Sequence, residues 1–116
     1  MEKTMLTIQN NEVKNVKLED IFLESGTSLQ GEIKITYQKL VEIFGKPNSM
    51  GDEYKIDAEW VIWTNSGCAT IYNWKDGKNY NGQDGQEVKN ITTWHIGGHS
   101  EQVVNVIKRV LNLPLE

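Results

Sequence analysis

Trp60 and Trp63 stand three positions apart in Asp57-Ala58-Glu59-Trp60-Val61-Ile62-Trp63-Thr64, an aromatic and β-branched run that reads as a strand. Strand side chains alternate between faces, so residues three apart point in opposite directions. A chain of 116 residues forms one domain, and a domain of that size packs two layers around one core. One indole therefore belongs in the core and the other on a sheet face that helices leave open, where an exposed aromatic marks a contact surface.

The next run, 69–74, completes a hairpin around Asn65-Ser66-Gly67. A two-residue loop at Ser66-Gly67 pairs Ile62 with Ile71. A three-residue loop ending at Gly67 pairs Val61 with Ile71 and Trp60 with Tyr72, and is preferred because Gly67 then takes the position that wants positive φ. A third strand at 91–96 leads through Gly97-Gly98 into a last helix.

Helical periodicity appears twice. Tyr37, Leu40, Val41 and Phe44 recur at i, i+3, i+4 and i+7, with Thr36 as N-cap, Ile35 placed to staple onto Leu40, Gly45 as stop and Pro47 as breaker. Near 100–112, Val103, Val104, Ile107, Val110 and Leu111 share a face, His99 or Ser100 is placed to cap, and Lys108 and Arg109 suit the C-terminal dipole. Residues 75–90, with Asp76-Gly77 and Asp84-Gly85, read as a long loop. Met5–Ile8 reads as a strand, 16–23 as a strand or short helix, and 31–35 as an extended entry to the first helix. The fold class is α+β: an antiparallel sheet of three to five strands with two helices packed on one face. Residues 1–25 are an N-terminal extension, 26–114 the single domain, and 115–116 match a tag remnant.

Composition narrows the function classes. The formal charge is -4, from 16 acidic and 12 basic residues that are interspersed, with Arg109 the only arginine. Nucleic acid is disfavoured, since phosphate-backbone binding needs a cationic face rich in forked donors. The acidic excess is also too dispersed for a DNA mimic. Cys68 is the only cysteine, so neither an internal disulfide nor a thiolate metal cage forms, and a reducing cytoplasm fits. No membrane span and no signal-peptide core is present in the sequence. The short chain speaks against an elaborate enzyme, and no cofactor motif is found.

Individual motifs add little chemistry. His95 and His99 are separated by Gly-Gly and a change of element, which is poor metal spacing. Asp76, Asn79, Asn81, Asp84 and Glu87 resemble a calcium loop only in composition. Ser28 lacks the glycine that a nucleophile elbow requires, and Cys68 reads as a packing residue. Asp57 and Glu59 share a strand face and suit capping turns or pairing with lysines such as Lys55 and Lys75 better than acid–base work. Trp94 and Ile96 facing the helices would put His95 on the open face. Gly97 and Gly98, before a helix start, offer a weak anion site with Lys75 or Lys78 closing over it.

Longer motifs point to a family. Gly26-Thr27-Ser28-Leu29-Gln30-Gly31, Phe44-Gly45-Lys46-Pro47, Asp57-Ala58-Glu59-Trp60, Ala69 to Tyr80 and Trp94-His95-Ile96-Gly97-Gly98 resemble a family of small bacteriophage- and prophage-encoded proteins, over about residues 26–111. The resemblance implies a soluble protein of the bacterial host's cytoplasm and carries no known reaction or catalytic residues. The expected function is accessory binding to a host protein, host defence components included, through an aromatic sheet face of Trp60 or Trp63 with Tyr72, Trp74, Tyr80 and His95. The alternative is a binder or hydrolase of a small nucleotide-like ligand. The third reading is that Trp60 and Trp63 are both buried because the N-terminal segment or a second subunit, as in a homodimer, covers the open face.

Overall fold

The computed structural model describes residues 4–17, 28–49, 56–75 and 77–115. Strands β1 (Thr4–Gln9) and β2 (Glu12–Lys17) form a hairpin, and β3 (Ser28–Lys34) leads into α1 (Tyr37–Phe44). A second hairpin, β4 (Glu59–Thr64) and β5 (Gly67–Tyr72), is followed by the single turn α2 (Lys78–Asn81) and two 3₁₀ turns. Strand β6 (Thr93–Gly98) then precedes α3 (Gln102–Val110).

The α+β class holds, with two corrections. The sheet has six strands in the order β2-β1-β4-β5-β6-β3, and it is mixed, because β1 pairs parallel to β4 with Leu6 opposite Ile62. Parallel neighbours need a long crossover, and the chain between β1 and β4, with β3 and α1 in it, supplies one. Residues 4–17 are therefore not an extension but two strands of the one sheet, and Leu6 and Ile8 belong to the core. In the stretch read as a loop, 3₁₀ turns at Gly82–Asp84 and Val88–Asn90 follow α2. Residues 18–23 of the N-terminal reading, and Asp76, lie outside the described residues.

Helices α1 and α3 pack on one sheet face, as their periodicity requires. Leu40 and Phe44 from α1, and Val103, Val104 and Ile107 from α3, join Trp60, Ile62, Ile71, Trp94 and Ile96 in one cluster. The Thr36 hydroxyl accepts from the Lys39 N–H at 3.1 Å, and Gly45 ends α1 at φ 80°. Ser100 Oγ accepts from the Gln102 N–H at 3.0 Å just before α3, whose N-cap position is held by Glu101 and not by Ser100 or His99. Trp60 is fully buried, 5.5 Å from Trp94 edge-on, and its Nε1–H donates to the Gly45 carbonyl at 2.8 Å. The same ring thus fills the core and satisfies a helix-end carbonyl.

The hairpin adopts neither expected register. Glu59 pairs with Tyr72, Trp60 with Ile71 and Trp63 with Cys68, and the loop is Asn65-Ser66. Gly67 does hold positive φ, at 101°, but it does so while paired with Thr64. The Thr64 hydroxyl explains this register. It donates to the Gly67 carbonyl at 2.7 Å and accepts from the Ser66 N–H at 3.0 Å, closing the turn one residue earlier. A one-residue change of register moves side chains to the other face, so Tyr72 shares a face with Trp63 and not with Trp60.

Candidate functional site

Parity assigns Glu59, Val61 and Trp63 of β4 to the face opposite the helices, and all three are half-buried. Across the next strands the pairing aligns Glu59, Tyr72, His95 and Glu32 in one row. Met5, Thr7, Cys68 and Thr70 lie on this same face and are buried. The centre of the face is therefore not a free surface, which corrects the expectation of an open sheet. Its most exposed aromatic side chains, Trp74 and Tyr80, lie at one end, where the row meets the segment that follows β5.

Four of the proposed contact residues converge there. The Tyr72 and His95 rings lie 5.6 Å apart between centroids, and Tyr72 meets Trp74 edge-on at 6.2 Å. Trp74 and Tyr80 are each 39% exposed, high for rings of this size. Lys75 joins them, with Nζ 5.9 Å from the Trp74 centroid and 5.4 Å from that of Tyr80, both within cation–π range. His95 Nε2 lies 3.7 Å from a Glu32 carboxylate oxygen, an ion pair whenever the imidazole is protonated. Burial first, and then the facing Glu59 carboxylate, push the Tyr72 phenol above its ordinary value of 10.0. The site thus offers a neutral phenol, an imidazole and a cation lodged between two aromatic rings.

Two of the six candidates do not belong to this group. Trp60 is in the core. Trp63 is on the right face but pairs with Cys68, four residues along β5 from Tyr72 and hence about 13 Å away at strand rise.

The anion site is also corrected. Gly97 and Gly98 are not a free turn before a helix, because β6 continues through both and is paired with β5 on one side and β3 on the other. Their amides belong to the ladder, and a Cβ on Gly98 would stand 2.6 Å from Val103 Cγ2, so this glycine allows α3 to approach the sheet. Lys78 is engaged elsewhere, 3.6 Å from Glu87, whose carboxyl is held below the usual range by hydrogen bonding to Lys89 and by the charges of Lys89 and Lys78.

Residues that the sequence reading placed in a strand (Asn73), at a strand start (Asp57) or in a loop (Asn79, Asn81) are the ones that hold the aromatic segment in place. Asn73 is fully buried, and its Oδ1 accepts from the N–H groups of Asp57 and Ala58 at 2.7 and 3.0 Å. Its Nδ2 donates to Asp57 Oδ1 at 2.9 Å, while Asp57 Oδ2 accepts from the Asn79 N–H at 3.0 Å. Asn79 Nδ2 donates to the Ile56 carbonyl at 3.0 Å, and Asn81 Nδ2 to that of Lys75 at 2.8 Å. A Cβ on Gly77 would lie 2.0 Å from Asp57 Oδ1, so only glycine admits the carboxylate. Asp57 is thus a clamp on the loop and Glu59 accepts from Ser49 Oγ at 2.7 Å; the two do not act as a pair. The cluster of Asn and Asp around Asp76-Gly77 was the available signal, since such residues are typical of side-chain-to-backbone closure.

Cys68 is buried. Among the described residues no group of three or more His, Cys, Asp or Glu side chains is placed to hold a metal, and no helix is long and apolar enough to cross a membrane. Comparison with protein-family models, with curated proteins and with solved structures finds no match.

Proposed function

We propose that this chain is a small bacteriophage-type accessory protein that binds a protein of the bacterial host through the aromatic end of its sheet. The observation that supports this reading is the exposed Trp74–Tyr80 pair with Lys75 between the rings. Tryptophan and tyrosine dominate binding hot spots because they contribute large contact area with few rotatable bonds. The loop that presents them is tied to the core through Asn73 and Asp57, so little ordering cost remains for the binding step. The resemblance to small phage proteins motivates the choice of a host protein, with defence components as the first class to examine.

The nucleotide-like alternative loses its phosphate element, because Gly97 and Gly98 lie within the paired strand. The test is comparative capture from lysate of the host bacterium by wild type, Trp74→Ala and Leu29→Ala, the last an exposed residue on the edge strand. A protein retained by wild type and Leu29→Ala but reduced roughly 30-fold by Trp74→Ala, as a hot spot of about 2 kcal/mol implies, supports the reading. Equal retention by all three, or by none, overturns it.

A further inference from the structure

We propose that the opposite end of the sheet is a second binding site, for a small hydroxylated anion of the sugar-acid or sugar-phosphate class, anchored by Arg109. The β1–β2 turn at Asn10-Asn11 and the β4–β5 turn at Asn65-Ser66 lie side by side because β1 runs parallel to β4, with Ile8 opposite Thr64. Helix α3 lies beside both turns. Two clefts of about 240 Å³ each open there, one lined by Ile8, both turns and α3, the other by Ser66 and α3, and they share Val106 and Arg109. Each alone is smaller than the ~300 Å³ at which small-molecule sites begin, and only the pair taken as one groove across Arg109 reaches that size. The groove is one strand length from the aromatic end, about 17 Å, so this inference is independent of the host-protein reading.

The lining specifies the ligand's chemistry. Among the described residues no carboxylate lines either cleft and no ion pair involves Arg109, so none of them supplies a counter-ion to the cation of the groove. Its position in the last turn of α3 suits the helix dipole, but Lys108 beside it serves that end too, and Lys108 lines neither cleft. A planar guanidinium matches a carboxylate or phosphate with two parallel hydrogen bonds. Around it stand neutral side-chain amides, from Asn10, Asn11, Asn65 and Gln102, which offer donor and acceptor together and so suit adjacent hydroxyls. Asn10 and Asn11 hold φ of 52° and 63°, a conformation asparagine tolerates and which fixes the turn that carries both amides. Ile8 and Val106 provide an apolar floor for the C–H face of a ring.

The only arginine of the chain gives a single Nε–H resonance, so nitrogen-15 NMR reads this site directly. The full chain is titrated with glucuronate, glucose 6-phosphate, glucose and inorganic phosphate, each to about 10 mM, above the millimolar range in which a weak small-ligand site saturates. The expected result is a saturable shift of the Arg109 Nε–H together with the Asn11 and Asn65 side-chain amides, with one or both acids. Which of the two acids acts distinguishes carboxylate from phosphate. Glucose and inorganic phosphate should bind at least roughly tenfold more weakly, since each supplies only one half of the recognition. Arg109→Gln should abolish the shifts of the amides. Asn11→Gly, which keeps the left-handed turn and removes only the amide, should weaken binding by about threefold or more, the loss of one hydrogen bond. No saturable shift with either acid, inorganic phosphate binding as well as glucose 6-phosphate, or undiminished binding by Asn11→Gly and Arg109→Gln would each overturn the proposal.

Discussion

Tyr72 shows how one residue of register changes a side chain's chemistry. Paired with Glu59 instead of Trp60, its phenol sits half-buried against a carboxylate, and burial and that charge both disfavour the phenolate. A phenol whose folded pKa is raised binds its proton more tightly in the native state. The stability it contributes is fully present below the unfolded value of 10.0 and is lost as pH rises through the folded value. Urea denaturation of wild type and Tyr72→Phe across the alkaline range should therefore show the two curves diverging only above about pH 10, with the wild type falling more steeply. Parallel decline of both proteins would mean that the Tyr72 hydroxyl does not titrate against the fold. Glu87 has the opposite sense: its lowered pKa favours the native state above the unfolded carboxylate range and ceases to do so as pH falls, and its exposed position makes that effect minor.

At the scale of elements, the segment from Asn73 to Asn81 is the part of the fold on which the proposed function depends. Asn73 accepts from two backbone N–H groups just before β4, an arrangement that leaves both without their Asn73 acceptor if the amide is removed. Asn73→Ala should cost about 3 kcal/mol, from two desolvated donors at the usual penalty for each. It should also release Asp57 from its place against Gly77, so capture through Trp74 should weaken at temperatures where the far-ultraviolet spectrum is still native. A stability loss with unchanged capture would separate the loop's anchoring from its function. The two long helices were legible because a helix signals itself through a 3.6-residue period and its caps, both local in sequence. The identity of the core indole was not legible until the hairpin register was known, and that register turned on the Thr64 hydroxyl, which no periodicity encodes. The clamp formed by Asp57 and Asn73 brings together residues 16 apart and was invisible for the same reason. Composition could mark 75–90 as rich in closing residues, yet not state what they close upon.

For the molecule as a whole, the first hairpin decides whether the sheet has a dangerous edge. Without β1, strand β4 becomes an edge along Ile62–Thr64, the stretch that now pairs with Leu6–Ile8. Such an edge is a template for pairing between chains. Among the described residues the outermost strands of the intact sheet are β2 and β3. The first carries Glu12 and Lys14 as an ion pair at 3.5 Å, and the second carries Glu32 and Lys34 and an irregularity between Leu29 and Gly31, all features that discourage edge-to-edge association. The motif-rich region from 26 to 114, which the resemblance to small phage proteins delimits as a domain, should therefore not behave as one in isolation. Removing residues 1–25 also removes Leu6 and Ile8 from the core, a loss of about 3–6 kcal/mol at the usual value for a buried aliphatic side chain. That is a large part of the stability of a domain this small. Sedimentation velocity of the truncated chain should show association that grows with concentration, and its thermal transition should be lower or absent beside that of the full chain. A truncated chain that stays monomeric and unfolds at the wild-type temperature would mean that β1 decorates a sheet complete without it, and the parallel β1–β4 pairing would then have no structural consequence.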